Sequence, residues 1–184
     1  MRRLPTLVMA AAVGLSSTVT ACGGHGSSTL GGTALNQPGE VTKAPALGGR
    51  PLPDLGFTSF DGRTVRFTDL RGTPAVVNIW SETCEPCKQE MPEFEAIHRA
   101  VRPRIRFVGI NSLDSERKAR EFATKTGVTY ELWRDQTGEV FNALKLVGLP
   151  TTLLVNAEGQ IVWAKHQRLT GDELTKRLNE FFPA

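Results

Sequence analysis

No second Cys-x-x-Cys pair accompanies the one at Cys84 and Cys87, and the three histidines, His25, His98 and His166, are scattered along the chain. A zinc site needs further nitrogen or sulfur ligands, so no metal is expected, and each histidine reads as a solvated or packed residue. No basic run interleaved with aromatics is present, which excludes a nucleic-acid-binding reading. Beyond the N-terminus no apolar stretch approaches membrane-spanning length, and there is no internal repeat. The formal charge of +3 is largely a property of the first residues: taking Arg2 and Arg3 from the 22 basic residues leaves 20 against 19 acidic ones.

What is present begins with a basic start, Met1-Arg2-Arg3, followed by a mostly apolar stretch from Leu4 to Ser16. It is too short to span a bilayer comfortably and has the make-up of an export signal. Val19-Thr20-Ala21-Cys22 then resembles the lipobox of bacterial lipoprotein signals, in which cleavage precedes the cysteine and its sulfur takes a diacylglycerol. The alternative is an ordinary secretory signal with a stray cysteine. The expected organisation is a signal over 1–21, a tether over 22–50 and one domain over 51–184. Gly23, Gly24, Gly26, Gly31, Gly32, Gly39, Gly48 and Gly49 lie among Ser, Thr, Ala and Pro in the tether, a composition that cannot bury enough apolar surface to fold. Its r.m.s. span as a Gly-rich coil is on the order of 30 Å.

Within the domain, the apolar run Pro74–Trp80 reads as a strand buried on both faces and leads into Cys84-Glu85-Pro86-Cys87, from which a helical pattern leads out. A two-residue spacing at a strand-to-helix junction forms a redox dithiol. The helix start supplies partial positive charge and free N–H groups that favour a thiolate at Cys84, while Cys87, one turn deeper, is placed to resolve a mixed disulfide. A structural disulfide or zinc half-site is the bland alternative. Met91, Phe94, Ile97 and Val101 form an inward stripe on this helix, with Pro92 inside it. Glu90, three residues after Cys87, shares its helix face, although glutamate is more often solvated.

The remaining pattern predicts a strand–turn–strand over 56–67 with Asp61-Gly62 at its tip, a short helical turn over 69–72, and a strand over 105–110. A helix over 115–126 stopping at Gly127, a strand over 129–133 and a short helix over 139–146 follow. A hairpin of 151–155 with 160–164 and a helix over 172–182 close the chain. The fold class is therefore α/β, with a central mixed sheet flanked by helices and an N-terminal β-hairpin extension. Trp80, Trp133 and Trp163 read as packing residues. Asn78 sits near the site, either ordering its hydrogen bonds or simply satisfied in the core.

Three motifs carry a resemblance spanning most of residues 51–182: Asn78-Ile79-Trp80 with Cys84–Pro92, Val108–Asn111, and Gly148–Asn156 with Gly159 and Ile161. They resemble the thioredoxin-like TlpA/ResA family of membrane-anchored thiol-disulfide oxidoreductases. The resemblance implies a thioredoxin-like fold without cofactor, and a cis bond at Pro150 that leaves the Leu149 backbone free for a substrate segment. It also implies a cavity-lining Glu90 that assists proton transfer. The chain departs from the family at Thr83, where an aromatic residue usually precedes the first cysteine, so an apolar lid beside the sulfur is missing from this substrate-contact position.

The resemblance further implies a monomer on the outer face of a bacterial membrane, probing clients such as the haem-site cysteines of apocytochrome c. Its electrons would come from a membrane thiol transporter of the CcdA/DsbD kind. Glu82, Glu85 and Glu90 place negative charge near Cys84, which disfavours a thiolate and points to a reductase, partly offset by Lys88. The alternatives are a disulfide-forming oxidant, a thiol peroxidase and a copper-binding assembly factor. The peroxidase pattern is incomplete because Val77 stands where its proline belongs, and copper factors use a wider cysteine spacing.

Overall fold

A computed structural model describes residues 47–183. The signal segment, Cys22 and nearly all of the tether lie outside the described residues. The described chain runs through β1 (Gly56–Ser59), β2 (Thr64–Arg66), a 3-10 turn (Phe67–Leu70), β3 (Ala75–Trp80), α1 (Glu85–Val101), β4 (Arg106–Ser112) and α2 (Glu116–Thr126). It continues through β5 (Glu131–Asp135), α3 (Glu139–Leu144), β6 (Thr151–Val155), β7 (Ile161–Lys165) and α4 (Gly171–Phe181). No helix among the described residues is long and apolar enough to cross a membrane.

The strands form one sheet in the order β2-β1-β5-β4-β3-β6-β7. β3, β4 and β5 are parallel, and the hairpins at both edges are antiparallel. All six residues of β3 are buried, as expected for a central strand covered on both faces. Side chains alternate across it. Val77 and Ile79 join a core with Phe57, Phe67, Trp133 and Val140 of α3. Val76 and Trp80 join the opposite core with Met91 and Phe94 of α1, Phe122 of α2 and Leu174 of α4. Asn78, two residues from each, therefore faces α1.

Local chemistry sets the boundaries. Gly127 caps α2 in the left-handed region at φ +70°. Thr170 and Glu173 form a capping box at the start of α4. β2 is shorter than its apolar pattern suggested: Asp69 accepts a hydrogen bond from the Arg66 N–H at 2.8 Å, and Phe67 begins the 3-10 turn instead of ending the strand. β5 runs two residues later than the predicted 129–133, because Thr129 is tied to α1 (below) and pairing with β4 begins at Glu131. At the end of the stretch assigned by composition to the tether, Leu47 is buried at 3% exposed and the Gly49 N–H donates to the Ile161 carbonyl at 2.7 Å, while residues 48–50 are exposed.

Candidate active site

β3 delivers the chain to the end of the sheet at Trp80, and a turn at Glu82–Thr83 redirects it into α1. The Glu82 N–H donates to Asp114 at 2.5 Å, and Asp114 also accepts from Asn111 at 2.7 Å. Asn111 pairs with Trp80 across the parallel β3–β4 ladder, so the end of β4 buttresses this turn. Thr83 is exposed, with its hydroxyl 3.3 Å from that of Ser81.

Cys84 is the N-cap of α1 in extended backbone, and its Sγ accepts a hydrogen bond from the Cys87 N–H at 3.2 Å. Pro86, in the first turn, has no N–H to leave unsatisfied there. Cys84 and Cys87 are joined by a disulfide, with Cα atoms 5.3 Å apart. Cys84 is 8% exposed and Cys87 fully buried, so the first sulfur is the more accessible. The two sulfurs form a closed pair at the helix start.

Glu90, one turn below Cys87, is fully buried. Because residues 78 and 90 face each other from β3 and α1, Asn78 Nδ2 donates to Glu90 Oε1 at 2.8 Å, and also to the Thr152 hydroxyl at 3.3 Å. The Leu169 N–H donates to Glu90 Oε2 at 2.9 Å. Burial pushes the carboxyl up from 4.5 to about 7. The hydrogen bonds from Leu169 and Asn78, and the charges of Arg168 and Lys165, oppose that rise. A buried group poised near neutral pH can take or give a proton there.

The two other glutamates near Cys84 have lysine neighbours. Glu82 pairs with Lys118 at 3.2 Å, and Glu85 with Lys88 at 3.9 Å. Of the three carboxylates that the sequence places near Cys84, Glu90 is the buried one.

Two further carboxylates of α1 fix the helix. Glu93 accepts from Gly171 N–H and Arg168, both at 2.5 Å, tying α1 to the start of α4. Glu95 accepts from the N–H and hydroxyl of Thr129 at 2.7 and 2.6 Å, and from Arg99 at 2.6 Å. Sequence reading passed over both residues, as it did Asp114, Leu169 and Arg168. Their signal is weak, since charged residues usually lie in solvent.

The Leu149–Pro150 bond is cis. Ile79 pairs with Thr151 across the antiparallel β3–β6 ladder, which sets Pro150 at the end of the sheet where the chain leaves β3 for Cys84. Leu149 is half-buried and packs against the core cluster that contains both cysteines. The Thr151 hydroxyl donates to Gly148 O at 2.7 Å, so it accepts from His166 Nδ1–H at 3.0 Å. The structure thus gathers Cys84, Cys87, Leu149 and Pro150 about one end of the sheet, with Glu90 beneath and Thr83 on the exposed turn. A second cis bond, Arg102–Pro103, follows α1 and was not foreseen.

The AhpC/TSA family model matches residues 49–164. The thiol-disulfide oxidoreductase ResA of Geobacillus thermodenitrificans is 26% identical over 136 residues, covering 73% of this chain and 78% of that protein. ResA of Bacillus subtilis is 29% identical over 115 residues, covering 62% and 64%. The structure of DsbF from Mycobacterium tuberculosis, in mixed oxidised and reduced forms, aligns with a TM-score of 0.64 at 26% identity, covering 69% of this chain and 94% of the other. With its cysteine pair closed at the start of α1 on a thioredoxin-like sheet, the chain belongs to the AhpC/TSA family and is a thiol-disulfide oxidoreductase of the ResA type.

Proposed function

We propose that this protein is an extracytoplasmic reductase of disulfides in exported proteins, held at the membrane by a lipid on Cys22. The observation that carries the reading is the Cys84–Cys87 disulfide at a helix start with the buried Glu90 carboxyl one turn below. In the reduced protein, the Cys84 thiolate attacks one sulfur of a client disulfide, forming a mixed disulfide and expelling the other client sulfur. The Cys87 thiol passes its proton to the Glu90 carboxylate and attacks Cys84 Sγ, expelling the second client sulfur. Two electrons go to the client, and the Cys84–Cys87 bond closes. A membrane thiol transporter of the CcdA/DsbD kind returns two electrons and two protons to the pair.

Leu149, ahead of Pro150 in the loop before β6, offers backbone groups to an extended client segment, a mode that binds many sequences by main-chain pairing. Thr83 gives a polar rim to that contact. Clients with paired cysteines in flexible segments suit this opening, and apocytochrome c is the class we assign. The protein acts as a monomer. The lysine partners of Glu82 and Glu85 are the observation that favours the second reading, a disulfide-forming oxidant.

The test is Cys87→Ser expressed in the native cell. The reductase reading requires mixed disulfides between Cys84 and exported proteins with paired cysteines, in the membrane fraction. Adducts confined to cytoplasmic proteins, or none, contradict it.

A further inference from the structure

We propose that Asn78 is a positioning residue that serves both protonation states of Glu90 by turning its side-chain amide over, with the Thr152 hydroxyl as the second partner in each state. The inference rests on reading Glu90 as the group that exchanges a proton with the cysteine pair. It begins with an unpaired atom. Asn78, Thr152 and Glu90 are all buried. Both N–H bonds of the Asn78 amide are used, one toward Glu90 Oε1 at 2.8 Å and one toward Thr152 Oγ1 at 3.3 Å. Its carbonyl oxygen, Oδ1, is buried with no partner among the described residues. An orphaned buried acceptor beside a saturated donor calls for a physical reason.

The reason lies in the donor–acceptor count. Both oxygens of Glu90 accept here, from Asn78 Nδ2 and from the Leu169 N–H. That arrangement suits a carboxylate. A protonated Glu90 carries an O–H and needs an acceptor. Leu169 cannot supply one, because its N–H belongs to the backbone. Asn78 can. Its amide has nearly the same shape when oxygen and nitrogen exchange places, so a half-turn about Cβ–Cγ puts Oδ1 where Nδ2 was. Oδ1 has two lone pairs. It then accepts from the Glu90 O–H and from the Thr152 hydroxyl, which donates as readily as it accepts. The amide keeps two hydrogen bonds, and its two N–H groups take the unpaired place that Oδ1 held. Oδ1 is unpaired in the charged state because it is the atom needed in the neutral one.

The two cations that face Glu90 carry no acceptor, so neither can take this part. The charged and titratable groups that face it from neighbouring elements are Lys165 of β7, Arg168 before α4, and Tyr130 before β5. Lys165 pairs with Glu173 at 3.1 Å and Arg168 with Glu93 at 2.5 Å. Tyr130 lies with its hydroxyl buried and unpaired among the described residues. Burial places the Glu90 carboxyl at about 7, so both of its states occur near neutral pH. Placing Asn78 on β3 opposite Thr152 of β6 is a consequence of strand register, since the two are directly paired across the ladder.

The test is a pH titration by NMR of the isotope-labelled full-length protein in detergent, from about pH 5 to about pH 9, spanning the shifted carboxyl. The Glu90 carboxyl carbon and the Asn78 side-chain amide signals should share one midpoint. The close contact between the Asn78 amide protons and Thr152 should vanish below it. A Glu90 signal that titrates while the Asn78 amide stays fixed overturns the proposal. A second arm uses Asn78→Leu, which can neither donate nor accept. If the amide serves both states, the variant loses melting temperature by similar amounts at acid and alkaline pH. A fixed donor would give a loss confined to the alkaline side, with proton affinity at Glu90 raised more than tenfold, and that result also overturns it. The wild-type titration decides alone should the variant not fold. Glu90→Gln separates the two ideas: unchanged thiol-exchange kinetics across pH would defeat the proton role of Glu90, whereas the NMR titration judges Asn78.

Discussion

The backbone N–H of Cys87 points at Cys84 Sγ across 3.2 Å, so the sulfur expected to attack is also the cap of α1. Capping ties reactivity to fold. When the disulfide opens, this N–H and the helix start favour the Cys84 thiolate, while Cys87 lies a turn deeper.

Cys84→Ser should therefore abolish disulfide exchange, and Cys87→Ser should retain attack but accumulate mixed disulfides. Alkylation of the reduced protein followed by peptide mass analysis should label Cys84 first. Faster labelling of Cys87 would reverse the assignment of roles.

Glu90 makes stability depend on pH in a defined direction. Its folded-state carboxyl, at about 7, lies above the ordinary 4.5, so on raising the pH the unfolded chain releases this proton first. The penalty is absent below about 4.5, grows between the two values and is complete above about 7, reaching roughly 3 kcal/mol. Relative to wild type, Glu90→Gln should gain stability across that window in denaturant unfolding of the oxidised protein. A stability difference that does not vary with pH would show that the carboxyl is not shifted.

Gly109 lies in β4 where a Cβ atom would meet Leu132 Cδ2 at 2.7 Å, Trp80 Nε1 at 2.9 Å and Tyr130 at 3.1 Å. Gly109→Ala should cost about 1–3 kcal/mol by overpacking, and because Trp80 ends the strand that leads to Cys84, it should also slow exchange. Chemical denaturation and an exchange assay measure the two effects together, and an unchanged midpoint would mean that the neighbours yield freely.

Cys22→Ala should move the protein from the membrane fraction to the soluble fraction, because two or more acyl chains give stable anchoring and none would remain. Fractionation and intact-mass analysis check this. An unmodified Cys22 on the processed wild-type protein would remove the anchor from the account.

Much of this was legible in the chain because it depends on short-range pattern. Pro74–Trp80 is apolar nearly throughout, Cys84 and Cys87 sit at a junction of two periodicities, and Gly127 and Asp61-Gly62 mark breaks. Asn78 and Glu90 were each noticed separately, but their hydrogen bond was not, since it joins a face of period two to one of period 3.6 across the packed layer. Leu169 contributes an N–H, which no side-chain pattern reveals. Glu93 and Glu95 looked like solvated helix residues, and only the approach of Gly171 and Thr129 turns them into anchors. The ion pair of Glu82 was hidden for a related reason: its lysine partner lies 36 residues away, on α2.

With Glu82 and Glu85 paired, the direction of electron flow rests on Glu90, whose carboxylate beneath the pair opposes the thiolate that the helix start favours. A less stabilised thiolate makes the reduced form a better electron donor. The most direct measurement is the equilibrium potential of the Cys84–Cys87 couple against glutathione. A reductase should lie near thioredoxin's roughly −270 mV, whereas a value near the roughly −120 mV of a strong oxidant would contradict the account.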